Sequence, residues 1–414
     1  MKTLARVAKR YPQMAYTGLI KSLQTEWTYL HQVVPDIATA FAPIEEAIKT
    51  DFLPALFDRE PPDRDLTQLP VRMAGMGIPH PWRHSQRHYQ TSQMMTEAVN
   101  TSLMIGVELD ASSYGRESTR ILIDHRAVQE VDMEWQLNPL LESASKTDER
   151  RMRRSRETGA WLNATLSNVY GTTLSCIEFR DAVRIHNDMV PLGLPAFCDR
   201  CRMARFTVGH AFQYKQGSLV QARHKEVAGE WHQLCAQALT PSAVSDEPTI
   251  LSYQNQEGED QSNRVLELWG DVAVHGFWTR GTTAIFNIRV TDTDTNSYRN
   301  TDCVKVLKRQ EKEKKDKYGE TCRHAHMHFT PLVFLVDGME GEETTAAWKR
   351  LASRLAAKWK CKYSRVCGFV HSRLAFTLVR LASRCLRGTH NNNQPPESID
   401  WAQQAGMRLY TQLF

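Results

Sequence analysis

The chain has no run of eighteen uncharged apolar residues, so its sequence predicts no helix that crosses a membrane. Its first residues, MKTLARVAKRYPQM, are basic but lack the apolar stretch and small-residue cleavage site of a secretory signal. Cysteine is sparse and odd in number, nine scattered over 414 residues. That usage argues against a disulfide framework and for a reducing compartment, nuclear or cytoplasmic. No internal repeat is present, so a solenoid or array is not expected. Neither sign of charge dominates. The net charge of +5 gives only a weak preference for an anionic partner.

What charge there is lies in clusters. KTDERRMRRSR (146–156) and KVLKRQEKEKKDKY (305–318) each read as a solvated helix face or as a surface that grips phosphate. The length suffices for two or three separate cores. Residues 1–50 read as helices punctuated by Pro35 and Pro43, and 58–90 as a Pro- and charge-rich stretch with a turn at Gly75 and Gly77. Helical patterns return over 92–109 and, more polar, over 125–160. The stretch 159–189 reads as a compact subdomain, with Trp161 and Leu162 in its core and EFRDAVRIH as an amphipathic helix.

The most informative stretch is VLELWGDVAVHGFWTRGTTAIFNIRV (265–290). Two β-rich runs flank a Gly- and Thr-rich loop, Phe277 to Thr282, which predicts two neighbouring antiparallel strands. Pairing them sets Asp271 beside Asn287. A carboxylate on each of two adjacent strands, with a cation nearby, is how a metal-dependent nuclease holds Mg²⁺ against a phosphodiester. Here one of the two carboxylates is an amide.

Around this pair the patterns predict a helix over 222–239, a strand within 245–253 and a loop over 254–264. They continue with a helix over 303–326, a buried strand over 328–338 ended by Gly338, and helices over 344–360 and 364–388. NNNQPPES reads as a linker and WAQQAGMRLYTQLF as a short terminal helix. His324, His326 and His328 read as surface or turn histidines. Helices on both faces of a small mixed sheet is a common layered solution.

A second cluster has ligand spacing. Cys198 and Cys201 form a C-x₂-C pair, and His210 follows nine positions later. Thiolate and imidazole at this spacing suit Zn²⁺, which wants four ligands in a structural site. Three are countable; Tyr214 stands where a fourth cysteine is expected, and His224 is the available substitute. Two reduced cysteines and a core histidine are the alternative.

Motifs along nearly the whole chain resemble the C-terminal region of non-LTR retrotransposon reverse transcriptases that carry a restriction-like endonuclease. They include LPVRMAGMGIP, GAWLNATLSNVYGTTLSCIEFRDA, CDRCRMARFTVGHAF, ARHKEV, GDVAVHGFW, IFNIRVTDTDTNSYRN, EKEKKDKY and HFTPLVFLVDG, in that order. The resemblance implies an α+β chain: a helical thumb-like and linker region (1–160), a linker subdomain with a degenerate zinc knuckle (161–221), a PD-(D/E)XK restriction-endonuclease-like α/β domain (222–390), and a linker with a terminal helix (391–414). It implies DNA, and element RNA, as partners, a separate polymerase-bearing polypeptide, and no membrane. It implies Mg²⁺ at Asp271, position 287 and Glu226, and Zn²⁺ at Cys198, Cys201 and His210. The catalytic lysine would come from Lys314, Lys315 or Lys317, because Arg289 stands at its usual place. Arginine stays protonated and is a poor base, but it holds phosphate bidentately.

Three departures weaken catalysis as an expectation. Asn287 lacks the second charge, Tyr214 replaces the knuckle's fourth ligand, and no Tyr-x-Asp-Asp palm motif is present. Asp292 and Asp294 are the nearest compensating carboxylates. The two functional readings are therefore a decayed or truncated nicking enzyme and a non-catalytic nucleic-acid-binding module.

Overall fold

A computed structural model of the chain describes residues 1–214, 218–254 and 264–388. The linker and terminal helix expected over 391–414, and the interior of the loop expected over 254–264, lie outside the described residues. The protein is α+β and divides into two units. One comprises Met1–Leu166 with Leu174–Met189; the other comprises Ser167–Thr173 and the chain from Val190 onward. The boundary falls inside 161–221, so the expected linker subdomain is shared between units.

The first unit is helical. Short helical segments from Lys2–Arg10 to Leu53–Phe57 bury Tyr16, Leu19, Phe52 and Phe57. Two long helices follow, α1 (Ser85–Ile105) and α2 (Ala111–Ser143). Gly106 ends α1 in the left-handed region at φ 68°, and Asp110 caps α2 by accepting from the Ser112 and Ser113 N–H groups. The basic run 146–156 lies in α3 (Lys146–Thr158), and EFRDAVRIH in α4 (Cys176–His186), which opens with a Ser175/Glu178 capping box.

The second unit contains α5 (Val208–Gln213), α6 (Leu219–Ala238), β1 (Val244–Asp246), β2 (Thr249–Gln254), β3 (Arg264–Trp269), β4 (Val272–His275), β5 (Thr283–Thr291), α7 (Cys303–His324), β6 (His328–Leu335), α8 (Glu342–Trp359) and α9 (Tyr363–Arg387). A four-stranded sheet runs in the order β1-β4-β5-β6. β1 pairs with β4 and β4 with β5 antiparallel, and β6 lies parallel to β5 after the α7 crossover. The period-2 alternation decides the two faces. Val272, Val274, Phe286 and Ile288 join Trp231 of α6, Leu351 of α8 and Leu374 of α9 in the main core. Ala273 and Ile285 point the other way, to Tyr318 and Cys322 of α7.

Two expectations are corrected here. The single strand within 245–253 is two strands, broken at Glu247, in the left-handed region at φ 45°, and Pro248. The first run of 265–290 is likewise two strands in different sheets. β3 pairs with β2, whereas β4 pairs with β5. The chain changes sheet at Gly270–Asp271. There the Gly270 N–H donates to Pro248 O (2.9 Å) and the Glu247 N–H to Asp271 O (3.0 Å).

Gly270 permits this crossing because a Cβ there would sit 2.6 Å from Ile285 Cγ2 and 3.1 Å from Pro248 Cγ. Gly270→Val is expected to cost about 1–3 kcal/mol by overpacking. A thermal melt followed by circular dichroism checks it, and an unchanged midpoint contradicts the packing argument.

Candidate functional site

Asp271 stands just before β4, at the point where the ladder to β5 runs out. Its N–H donates to Phe286 O (2.9 Å), and its Oδ2 accepts from the Ile288 N–H at 2.6 Å. The carboxylate thus fills the place that the next strand residue would have taken. Register puts it beside β5 at Asn287: Val272 pairs with Phe286, so the next positions outward are 271 and 287.

Asn287 is buried, 4% exposed, on the α7 face of β5. Its Oδ1 accepts a short hydrogen bond from Lys314 Nζ. Along α7, Gln310, Lys314 and Tyr318 form one i, i+4 stripe against β5. Gln310 accepts from Thr291 Oγ1 (2.7 Å), Lys314 meets Asn287, and Tyr318 packs with Ile285. Burial pushes the Lys314 ammonium below its ordinary pKa, and the Asp271 charge offsets part of that. Lys314 is therefore bonded to Asn287 while it feels the charge of Asp271.

His224 of α6 completes the group. Its Nε2 lies 3.2 Å from Asp271 Oδ2 and 3.1 Å from Ile288 O. The hydrogen bond to Asp271 holds its pKa above the usual histidine value, against burial. Sequence reasoning considered His224 only as a fourth zinc ligand. The structure commits it to Asp271 instead, because α6, Leu219–Ala238, is one helix whose His224 side faces the sheet end. The only sequence signal was helical periodicity, which also buries Arg223, Val227 and Trp231 on the neighbouring stripe.

The other predicted site residues are placed elsewhere. Glu226 forms a close ion pair with Arg384 of α9. Two residues on from His224, it points roughly 200° around α6 and is not brought to Asp271. Arg289 pairs with Glu313 (2.8 Å), and Lys315 forms a close ion pair with Glu343. Lys317 lies over the Tyr318 ring, 4.9 Å from its centroid. Of the three lysines only Lys314 enters the site. Asp292 does not compensate for Asn287: its Oδ2 accepts from Gln213 Nε2 (3.1 Å) and its Oδ1 from the Asp294 N–H (2.9 Å).

This donor set suits Mg²⁺ poorly. It offers one carboxylate, with one oxygen already accepting twice, and one amide oxygen capped by an ammonium. A hard dication wants anionic oxygens without competing cations. What the arrangement can do is present cationic groups beside a single oriented carboxylate.

The second predicted cluster does assemble. Among the described residues, Cys198, Cys201 and His210 are the one group of three whose ligand atoms all lie within 4.8 Å of one another. A tight turn builds it. Phe197 and Arg205 form an antiparallel bridge, the Arg202 N–H donates to Cys198 O (2.9 Å), and Arg202 takes the left-handed region at φ 51°.

Backbone N–H groups of Ala204 and Met203 point at the Cys201 sulfur and pull its pKa down. Those of Cys201 and Arg200 do the same to Cys198, whose pKa burial nonetheless raises. N–H groups aimed at sulfur favour the thiolate, the form that binds metal. Cys201 Sγ is 3.9 Å from His210 Nε2, and the Tyr214 ring stacks on His210 at 5.0 Å. Three donors fit a zinc ion that keeps one open position.

One equivalent of Zn²⁺ is expected to bind, and Cys201→Ser to weaken it at least tenfold. Competition with a chromophoric chelator measures this; equal affinity of both chains contradicts the cluster's role. No family model matches the chain, and no curated protein matches it.

Proposed function

We propose that this chain is a retrotransposon-derived nucleic-acid-binding protein whose second unit descends from a PD-(D/E)XK nicking endonuclease with impaired catalysis. The observation that carries the reading is the meeting of Asp271, at the start of β4, with Asn287 in the middle of β5 and Lys314 in the middle of the crossover helix α7. In the ancestral arrangement the second strand would carry a carboxylate. Asn287 keeps its oxygen and gives it to Lys314, so the site loses anionic donors and keeps its cations. That change favours holding a phosphate over cleaving one.

The residues have separable tasks. The Ile288 N–H and His224 orient the Asp271 carboxylate. Lys314 and Arg289 supply positive charge to phosphate oxygens. The knuckle of Cys198, Cys201 and His210 would hold Zn²⁺ through three protein ligands, with a fourth position open to water. DNA is the partner this chemistry selects, with element RNA and a separate polymerase-bearing polypeptide as further partners in the same reading.

Non-catalytic binding of RNA or DNA is the second reading, favoured by the poor fit to Mg²⁺. A supercoiled-plasmid nicking assay with Mg²⁺ or Mn²⁺ separates them. Nicking by Asn287→Asp and not by the wild type supports impaired descent. Salt-sensitive duplex binding with no nicking by either chain supports pure binding, and neither activity defeats both.

A further inference from the structure

Between the start of α6 and the facing parts of β5 and α7 lies a depression of 260 Å³. Arg223, His224, Arg289 and Lys314 line it beside Val220 and Ile288, and among the described residues no acidic side chain does. Such a concentration of cations has an electrostatic cost unless an anion enters. Arg289 reaches out to Glu313 at the rim, and Lys314 turns to Asn287. Arg223 is answered less completely, by the Cys385 thiol and the charge of Asp292.

Arg223 is 4% exposed, yet its Nε and Nη1 have no hydrogen-bond partner among the described residues. Its Nη2 makes long contacts, 3.4 Å to Phe212 O and 3.5 Å to Val290 O, and the side chain also meets the Cys385 thiol. Burial pushes its pKa down, and the neighbouring Cys385 and Asp292 recover part of that loss. A guanidinium carries five donors, and leaving buried ones unmade is costly. Leu219–Ala238 is a twenty-residue helix, and the depression opens at its first turns, where the helix dipole also favours negative charge.

We infer that this depression is a seat for one phosphate group, held from below by Arg223 and flanked by Arg289 and Lys314. The inference deepens the nucleic-acid reading and rests on it for the source of the phosphate. Donors converge from three elements, α6, β5 and α7, which suits a tetrahedral oxyanion better than a planar carboxylate that one guanidinium satisfies. The source is an internal phosphodiester, since Arg289 and Lys314 leave the rim open for a strand to continue past. Binding there would fix the backbone next to Asp271, so the seat is a register stop for the strand lying across the site.

The test uses the full chain. Duplex binding is measured by fluorescence anisotropy between 50 and 200 mM salt, roughly the range over which phosphate contacts declare themselves. Arg289→Gln and Arg223→Gln, each checked for native circular dichroism, are expected to lower the salt slope by about 0.9 per lost contact. Affinity is expected to fall about tenfold or more. Should Arg223→Gln fail to fold, Arg289→Gln carries this arm. In the unaltered chain, inorganic phosphate is expected to shift the Val220 and Ile288 amide resonances saturably.

Duplexes with 5′-phosphate and 5′-hydroxyl ends are expected to bind equally. A preference of about tenfold for the phosphorylated end would overturn the internal source. Unmoved amides together with an unchanged salt slope in a folded Arg289→Gln overturn the seat itself. A chain that binds no duplex at any salt, yet shifts with inorganic phosphate, keeps the seat and defeats the nucleic-acid reading. Failure of Asn287→Asp to nick leaves these arms intact.

Discussion

Asn287→Asp is expected to give metal-dependent nicking of supercoiled DNA at a rate at least 100-fold above the wild type. The substitution changes one atom in a position the fold already prepares. Asn287 Oδ1 accepts from Lys314, and position 287 lies opposite Asp271 in the continued register. An aspartate there supplies a second anionic oxygen donor beside the Asp271 carboxylate, completing the one or two carboxylates that Mg²⁺ commonly takes from protein. Its charge also balances Lys314, which burial now pushes towards the neutral form.

A correctly placed metal supplies several kcal/mol of transition-state stabilisation, which converts to 100-fold or more at about 1.4 kcal/mol per tenfold. Calorimetric titration with Mn²⁺ should show binding to the variant and little to the wild type. Adding Asp271→Ala should abolish both. If the folded variant takes up Mn²⁺ and still leaves plasmid intact, descent from a nicking enzyme is the wrong reading and a binding module is the right one.

Acid is expected to unfold the first unit through a cluster of histidines. His31, His84, His88 and His125 lie together. His31 stacks on His88 at 5.9 Å between centroids, and His84 and His125 approach His88 at 6.3 and 5.3 Å. Burial pulls both His84 and His88 down from 6.5 to about 4. For His84, Asp132 opposes the shift while Arg87, Arg83 and His125 add to it. For His88, the other three histidines and Arg87 add to it.

The sign follows from linkage. Each folded-state pKa lies below its unfolded value, so the neutral, packed rings contribute fully above pH 6.5. Between 6.5 and about 4 the unfolded chain binds protons that the native one refuses, and stability falls. Discounted for their partial exposure, the two rings together account for roughly 4 kcal/mol, a large share of the 5–15 kcal/mol typical of a domain. A melting temperature lowered by about 8–16 °C between pH 7 and pH 4.5 is expected for this unit. His88→Gln should flatten part of that dependence. An identical pH profile in the variant would exclude the cluster as the cause.

Local pattern carried far in this chain. The helices over 222–239, 303–326, 344–360 and 364–388, and the buried strand starting at His328, are all legible, because their apolar patterns are explicit; that strand ends at Leu335, three residues before Gly338. The knuckle was legible too, since a C-x₂-C turn brings its two sulfurs together within four residues and His210 lies on the next short helix. Asp271 and Asn287 could be singled out because β4, which starts one residue after Asp271, and β5, which carries Asn287, are joined by a short loop.

Other features needed the folded chain. Strands β3 and β4 read as one because nothing in a β-rich run marks a change of sheet. Only Ile285 and Pro248, closing on Gly270, reveal it. Which of three neighbouring lysines enters the site depends on the rotation of α7, which is set by Tyr318 and Cys322 packing against Ala273 and Ile285. Glu226 and His224 exchanged their expected importance for the same reason on α6, where Trp231 and Val227 fix the helix in the core. Sequence determined the chemistry on offer: one carboxylate, one amide, several cations and a metal-binding turn. Tertiary structure alone decided which of these meet, because a helix turned by one residue swings each side chain by about 100° and core packing, not the polar residues, sets that turn.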